Sequence, residues 1–154
     1  MEENEYRRTL DEVRELPCVF QKAILNRRCD CALVERFNLG EREAVRCTQW
    51  TAANNCATVL DLLRENGRFA LGMAHVPGPL PHAKELRLQA GGIAGLHRAL
   101  DPEADPDDTP PDIHGVISRA QEAYGTLQAV PFNQVVHGIH DFQGRRRSRR
   151  RRDP

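Results

Sequence analysis

Apolar residues recur along this 154-residue chain mostly at steps of three and four, the spacing of one face of an α-helix. The segments with this spacing are 6–16, 20–24, 32–37, 53–63, 82–100, 113–124 and 132–142. No segment alternates convincingly between apolar and polar residues, and we find no internal repeat. The pattern therefore predicts an all-α fold, a small irregular helical domain that ends in a C-terminal helical hairpin.

Prolines and glycines mark where these helices should begin, end or deform. Pro17 interrupts the first apolar stripe and can open the next helix. Asn38 and Gly40 offer a C-terminal cap to the third helix. Gly91 and Gly92 fall inside the long helix, where each weakens it by about 1 kcal/mol relative to Ala. We therefore expect a kink or a close backbone contact at this pair.

Composition divides the chain into four parts. Residues 1–100 form a cysteine-rich helical domain, and residues 101–112, DPEADPDDTPPD, form an acidic, proline-rich linker. Residues 113–143 form the final helical pair, and residues 144–154 form an arginine-rich tail that we expect to be disordered.

The overall composition is that of a globular protein. Hydrophobic residues make up 40 % and charged residues 29 % of the chain. No stretch approaches the roughly 18 apolar residues of a transmembrane helix, so we expect no membrane association. The opening residues, MEENEYRR, are acidic and polar, unlike the basic and then apolar start of a secretory signal. We therefore predict a cytoplasmic protein whose thiols stay reduced.

The formal net charge of zero hides two opposed parts. Residues 1–144 carry 15 basic and 21 acidic side chains, whereas residues 145–154 carry seven arginines and one aspartate. Such a polycationic tail could contact nucleic-acid phosphates without recognising their sequence. The chain also has 20 arginines against two lysines, a bias typical of GC-rich genomes. The tail is therefore explained equally well by codon bias, or by folding back on the acidic body.

Five cysteines carry the strongest chemical signal. They stand at positions 18, 29, 31, 47 and 56, within 39 residues, and the 98 residues that follow contain none. Disulfides explain them poorly, because the compartment is reducing and the number is odd. A thiolate site explains them better, since soft sulfur ligands select zinc, copper(I) and iron–sulfur clusters.

The spacing of the cysteines favours an iron–sulfur cluster over zinc. Structural zinc sites usually take cysteines in CxxC pairs, and this chain has none. It has a single CxC, Cys29-Asp30-Cys31, with the other cysteines far away along the chain. The irons of a cluster are spread more widely than one zinc ion and can take single cysteines from several segments. We therefore predict an iron–sulfur cluster, with zinc as the alternative cofactor.

All five cysteines, Cys18, Cys29, Cys31, Cys47 and Cys56, are candidate ligands of the predicted centre. Cys29, Cys31 and Cys47 stand beside turn and charged residues, where burial as small apolar side chains is least natural. The fourth ligand is Cys56, or else Cys18. Cys56 lies on an apolar stripe and Cys18 begins a helix, so either could instead be a small residue packed in the core. The CxC must leave helical geometry for both of its thiols to reach one centre.

Histidines provide a weaker metal signal. His137 and His140 form an HxxH followed by Asp141, but no further ligand is indicated nearby. His75 and His82 flank the proline-rich segment and could complete a mixed cysteine–histidine site. Surface histidines explain all four as well.

The sequence favours a non-catalytic role. It contains no GxSxG, no P-loop and no GxGxxG. We expect a small soluble protein that acts in electron transfer, redox sensing or metallocentre assembly with a protein partner. The alternative is a helical interaction module, zinc-stapled or metal-free, whose tail contacts nucleic acid or an acidic partner.

Overall fold

A computed structural model describes residues 16–72, 80–103 and 110–142 of the chain. Of these residues 59 % are helical, and they also contain one two-stranded antiparallel sheet, so the fold is mixed α/β and the all-α prediction is wrong. The helices of the described ranges are α1 (Gln21–Leu25), α2 (Trp50–Gly67), α3 (82–100), α4 (Ile113–Tyr124) and α5 (Phe132–Asp141). The strands are β1 (Val34–Leu39) and β2 (Arg42–Cys47).

The hairpin β1–β2 replaces the helix predicted over residues 32–37. Leu39 pairs with Arg42, which leaves a two-residue turn at Gly40 and Glu41. Gly40 has a φ of +65°, which suits the first central position of a two-residue hairpin turn. The glycine interpreted as a helix cap therefore reverses the chain between two strands.

Charged side chains on the hairpin pair across the strands. Glu35 lies directly opposite Arg46, and Arg46 Nε is 2.9 Å from Glu35 Oε2. Arg36 Nη1 is 2.7 Å from Glu43 Oε1 on the other strand, and the Arg46 guanidinium lies 5.3 Å from the centre of the Phe37 ring. Each exposed pair of this kind contributes up to about 1 kcal/mol. The charged residues of a segment that was predicted to be helical thus stabilise a pair of strands.

The other predicted helices of the described ranges are confirmed. Helix α3 is continuous but consists of α-helix over His82–Leu86, one π-helical segment over Arg87–Gly91, and α-helix over Gly92–Leu100. A short 3₁₀ turn, Leu127–Ala129, joins α4 to α5.

Helices α3 and α5 cross with their backbones in contact. A Cβ added to Gly91 would lie 2.7 Å from the carbonyl oxygen of Gly138, and one added to Gly95 would overlap the carbonyl oxygen of Val135. The close contact expected at the glycine pair is therefore present. Only glycine lets two helices approach so closely, which explains glycines inside a helix that they weaken.

One hydrophobic core joins all the helices. Its largest fully buried side chains are Phe20, Ile24, Val45, Val59, Leu63, Leu88, Ile93, Leu96, Ile113, Val116, Val135 and Ile139. These residues come from both sides of the predicted linker. Helices α4 and α5 therefore share a core with the segments that carry the cysteines.

A buried polar network connects α1, α2 and α3. Glu85 accepts two hydrogen bonds from Arg64 Nη2, at 2.9 and 3.0 Å, and a third from Gln89 Nε2 at 3.0 Å. The other side-chain atom of Gln89, Oε1, accepts from the amide of Ala23 at 3.2 Å. Because Gln89 lies on the π-helical segment, a buried hydrogen bond joins that segment to α1.

Several predictions lie outside the described residues. These are most of the first helix, residues 104–109 of the predicted linker, the tail 144–154 and His75. Within the described ranges, no helix combines the length and the apolar character needed to cross a bilayer.

Candidate metal centre

The position of Cys29 is set by the end of α1. Arg27 adopts a left-handed φ of +63° there, and the amides of Arg28 and Cys29 both donate to the carbonyl of Ala23, at 3.0 and 3.3 Å. The bond from Arg28 closes a Schellman motif, whose left-handed position is usually glycine. Cys29 is thereby fixed close to the last turn of α1.

The CxC segment is not helical, as expected, and backbone hydrogen bonds fasten it to the start of α4. The amide of Asp30 donates to the carbonyl of Pro111 at 3.0 Å, and the amide of Ile113 donates to the carbonyl of Asp30 at 2.9 Å. The amide of Ala32 donates to Asp112 Oδ1 at 3.1 Å. Residues from the end of the predicted linker therefore shape the CxC segment.

Cys47 ends strand β2 and brings two further cysteine segments together. Cys47 lies opposite Val34 in the hairpin, and Val34 follows Cys31 by three residues. The amide of Cys47 donates to the carbonyl of Leu16 at 2.8 Å. Leu16 precedes Cys18 by two residues. Backbone hydrogen bonds thus place Cys18, Cys31 and Cys47 in adjoining segments.

Cys56 approaches this region from helix α2. It shares a helix face with the buried residues Val59, Leu60 and Leu63, and α2 packs against β2. Cys56 is half-buried and packs against the hydrophobic core. Its thiol therefore points inward, towards the side of the molecule on which β2 lies.

Four thiols interact electrostatically. Burial raises the pKa of the Cys56 thiol, and the neighbouring thiols of Cys18, Cys31 and Cys47 raise it further. We call these four residues the four-thiol group. All four are half-buried, so the group lies near the surface, and no disulfide joins any of the described cysteines.

Backbone groups influence two of these sulfurs. The amide of Gln49 donates to Cys47 Sγ at 3.5 Å, and the Cys47 thiol donates to the Gln49 carbonyl at 3.3 Å. At Cys31, burial is the largest influence on the pKa of the thiol and raises it, whereas the backbone amides of Leu33 and His114 act to lower it. Hydrogen bonds from amides stabilise thiolates and are typical of sulfurs that hold metal centres.

Cys29 differs from the other four cysteines. It is only 2 % exposed and belongs to the hydrophobic core. Burial raises the pKa of its thiol to about 12, partly opposed by Arg28. Cys18 is the one cysteine whose charge influences Cys29, and Cys29 is not among the thiols that influence Cys56. Its surroundings are those of a packed apolar side chain.

The described side chains do not form a site for a single metal ion. Within residues 16–72, 80–103 and 110–142, no three His, Cys, Asp or Glu side chains are grouped closely enough to hold one. Tetrahedral zinc, with Zn–S bonds of about 2.3 Å, needs sulfurs about 3.8 Å apart. The four-thiol group is therefore a set of neighbours without the compact geometry of a zinc site.

The predicted cysteines thus fall into two sets, the four-thiol group and Cys29, and their role as ligands stays a prediction. The histidines lie elsewhere. His82 Nδ1 is 3.0 Å from Lys22 Nζ, and His140 Nδ1 is 3.0 Å from Asp141 Oδ1. The hydrogen bond from His140 lowers the pKa of the Asp141 carboxyl.

Sequence reasoning did not identify the amides of Leu33, Gln49 and His114, or the carboxylate of Asp112, as neighbours of the thiols. Every residue except proline has an amide, so no residue type signals such a donor. The one signal in the sequence was the position of Asp112 directly before a predicted helix, since an Asp there is typical of a helix N-cap.

No family model matches the chain, and comparisons with curated proteins and with solved structures found no significant match.

Proposed function

We propose that this protein binds an iron–sulfur cluster through the four-thiol group and acts in electron transfer, redox sensing or metallocentre assembly. The observation that carries the proposal is the convergence of four cysteine segments. Cys47 donates its amide to Leu16 and pairs with Val34, and α2, which carries Cys56, packs against β2. Three of the four cysteines lie in segments joined by backbone hydrogen bonds, and the fourth projects from α2. Four thiolates are the usual ligand set of a cluster.

The proposed ligand set differs from the sequence prediction at one position. Cys18 replaces Cys29, because Cys29 is buried in the core and Cys18 influences the thiol of Cys56. The amide of Gln49, which is directed at the sulfur of Cys47, supports the choice of that residue, since such donors offset the negative charge of ligated sulfur.

A cluster is proposed rather than zinc because the cysteines come singly from separate segments and the chain has no CxxC pair. A polynuclear core reaches ligands that are farther apart than those of one ion. Zinc would require the four segments to move together, and it remains the alternative cofactor that metal analysis distinguishes.

The ligand set favours electron transfer or sensing over substrate chemistry. Catalytic metal sites keep a position open, whereas four cysteines close the coordination shell. When bound, a cluster would supply one-electron chemistry close to the surface, because all four thiols are half-buried. Trp50 is 70 % exposed and stands three residues after Cys47, where it offers an aromatic contact to a protein partner. We propose the cytoplasm, where unligated thiols stay reduced.

Anaerobic purification tests the proposal. The protein, reconstituted with iron and sulfide and then desalted, should be brown and contain iron and sulfide in similar amounts. Zinc in their place would support the alternative cofactor. Protein that holds neither iron nor zinc after reconstitution would contradict the proposal.

Cysteine variants then test the ligand set. Replacing Cys18, Cys31, Cys47 or Cys56 by Ser exchanges a soft thiolate for a poor ligand, so iron content should fall severalfold. Cys29→Ala is the matched control, because it removes a thiol from the same region but should keep the iron. Iron loss in Cys29→Ala with retention in Cys18→Ser would instead favour the original sequence prediction.

A further inference from the structure

Phe69 is the most exposed large apolar side chain in the described part of the chain. It follows the last residue of α2, Gly67, by two positions and is 83 % exposed. The guanidinium of Arg68 lies 5.4 Å from the centre of its ring, a cation–π contact that leaves most of the ring accessible. An accessible aromatic ring next to positive charge is the arrangement on which the bases of single-stranded nucleic acid stack.

The end of α5 lies close to Phe69. A Cβ added to Gly67 would lie 2.8 Å from Ile139 Cδ1, so the last turns of α2 and α5 are in contact. Ile139 precedes Phe142, where the described range 110–142 ends, by three positions. The exposed ring and the point at which the chain continues into the arginine-rich tail are therefore at the same end of the molecule.

Two arginines fix this end of α5. Arg87 Nε donates to the carbonyl of Ile139 at 2.7 Å, and Arg87 Nη2 donates to the carbonyl of His140 at 2.8 Å. The guanidinium of Arg28 lies 4.8 Å from the centre of the Phe142 ring. These positive groups offset the negative end of the helix dipole and hold residues 139–142, from which the chain continues into the tail.

The tail carries the charge that a phosphate backbone requires. Residues 145–152 are seven arginines and one serine, and guanidinium groups bind phosphates through paired hydrogen bonds. Residues 143–152 contain no apolar side chain that could enter a bilayer. A nucleic acid therefore fits the charge of the tail better than a membrane does.

We propose that Phe69, Arg68 and the arginine-rich tail form a binding surface for single-stranded nucleic acid, on which a base stacks on Phe69 and the tail binds phosphates. Single strands are favoured because a base inside a duplex is already stacked and paired, so its face is not available to the ring. The contacts recognise the backbone and the face of any base, so we expect no sequence preference. The inference is independent of the metal centre, and the failure of either proposal leaves the other standing.

Binding is measured on the full chain by the fluorescence anisotropy of labelled oligothymidylate and oligouridylate of about 15 nucleotides, close to the upper site size of such proteins. A duplex of the same length and vesicles that contain phosphatidylserine are measured in parallel. We expect the single strands to bind more tightly than the duplex, with affinity that falls as salt is raised. The more tightly bound of the two single strands identifies DNA or RNA as the ligand.

Variants of the exposed ring test the role of stacking. Phe69→Ala should weaken single-strand binding by about five- to a hundredfold, the effect of losing one stacked base, and leave duplex binding unchanged. Phe69→Trp keeps an aromatic surface and should bind as the wild type does. Trp50→Ala is the matched control, because Trp50 is also exposed, at 70 %, but stands at the other end of α2, about 27 Å of helix away.

A tail variant tests the role of charge. Replacing the seven arginines of residues 145–152 by Gln should weaken binding of single strands and duplex alike, by about a hundredfold or more at low salt, and flatten the salt dependence. Absence of binding to both single strands would overturn the inference, as would Phe69→Ala that folds and binds them as the wild type does. Tighter binding to the vesicles than to either single strand would assign the surface to a membrane and overturn it as well.

Discussion

Two regions of this molecule are held together in different ways. In the helical region, formed by α2, α3 and α5, apolar side chains are fully buried and the backbones of α3 and α5 touch through glycines. The cysteine region comprises the CxC segment and the hairpin. It exposes most of its charged side chains, and residues 30–32 and 47–48 are fixed largely by backbone hydrogen bonds.

The difference indicates where a bound centre would matter for stability. Burial of apolar surface stabilises the helical region without any ligand. Hydrogen bonds in an exposed segment compete with water and contribute only about 1 kcal/mol each. Under the proposed function, the cysteine region should therefore gain stability from cross-linking by the bound centre, whereas the helical region should not.

The largest effect is expected from Gly95→Ala. The added methyl group would overlap the carbonyl of Val135, which belongs to the backbone and cannot rotate away. We expect a loss of about 3 kcal/mol or more in the free energy of unfolding, at the upper end of overpacking effects. Urea denaturation followed by circular dichroism measures it.

Gly67→Ala is the matched control for this substitution. Its methyl group would lie 2.8 Å from Ile139 Cδ1, the far end of a flexible side chain that can move. Its cost should be clearly smaller than that of Gly95→Ala. Equal costs would show that backbone contact is not what joins α3 to α5.

Gln89→Leu should weaken the link between α3 and α1, the helix whose end positions Cys29. The amide of Ala23 would lose its acceptor in a buried position, and Glu85 would lose one donor but keep Arg64. Leaving a buried group unsatisfied costs about 1–3 kcal/mol, so we expect a loss of about 2 kcal/mol. Gln89→Glu keeps an acceptor but adds a charge beside Glu85, and it should be no more stable than Gln89→Leu. A cost below about 0.5 kcal/mol for Gln89→Leu would contradict the role assigned to the network.

Removal of the metal should loosen one region only. After chelation of the reconstituted protein, amides of residues 30–34 and 46–49 should exchange at least about tenfold faster, because binding energy is also folding energy. Amides of α3 and α5 should be unaffected. Equally faster amide exchange in both regions would contradict the proposed difference between them. Unchanged exchange in both regions would contradict it as well.

Arg27→Gly should stabilise the cysteine region. Arg27 has a φ of +63°, a conformation that costs a non-glycine residue about 1–2 kcal/mol, partly offset by the greater entropy of unfolded glycine. Arg27→Ala loses the same side chain but keeps the strain. We therefore expect Arg27→Gly to exceed Arg27→Ala in stability by about 1 kcal/mol, measured by thermal unfolding. The opposite order would show that the position is not strained.

The smallest expected effect is a dependence of the free energy of unfolding on pH, and it arises from His97 in the helical region. Burial lowers the pKa of His97, with a further contribution from Arg119 and opposition from Asp101. The unfolded chain therefore binds a proton more readily than the folded one, and stability should fall as the pH drops below about 6.5. His97→Gln should reduce this fall between pH 6.5 and 5. His137→Gln, which changes an exposed imidazole on α5, is the control and should not reproduce the effect.

Hydrophobic spacing predicted most of the helices and failed at the hairpin. Val34 and Phe37 are three residues apart, which fits one face of a helix, and Gly40 fits a helix cap equally well. The partner strand decides between the two structures, since Arg46 and Glu43 bind charges on β1. Pairing of this kind depends on residues that are not neighbours in the sequence, which a periodicity analysis does not detect.

The clustering of the cysteines is visible in the sequence, but their arrangement is not. Five cysteines within 39 residues predict a thiolate site, and that site stays a prediction. The sequence pattern could not separate Cys29 from Cys31, because the full burial of Cys29 and the half-burial of Cys31 depend on the left-handed turn at Arg27 and on Asp112. Both are tertiary effects, and Asp112 lies outside the cysteine-rich segment.

The contact between Ala32 and Asp112 has a consequence for how the protein is made. It joins residues 80 positions apart, so closing the intervening loop costs about 4 kcal/mol of chain entropy. During synthesis at about 5–20 residues per second, the ribosome needs roughly 4–16 s to add the residues that complete the CxC segment. When Cys56 has just left the ribosome, Asp112, which binds the CxC segment, is therefore still missing. Under the proposed function, cofactor delivery should then follow the synthesis of residue 112 rather than accompany that of the cysteines.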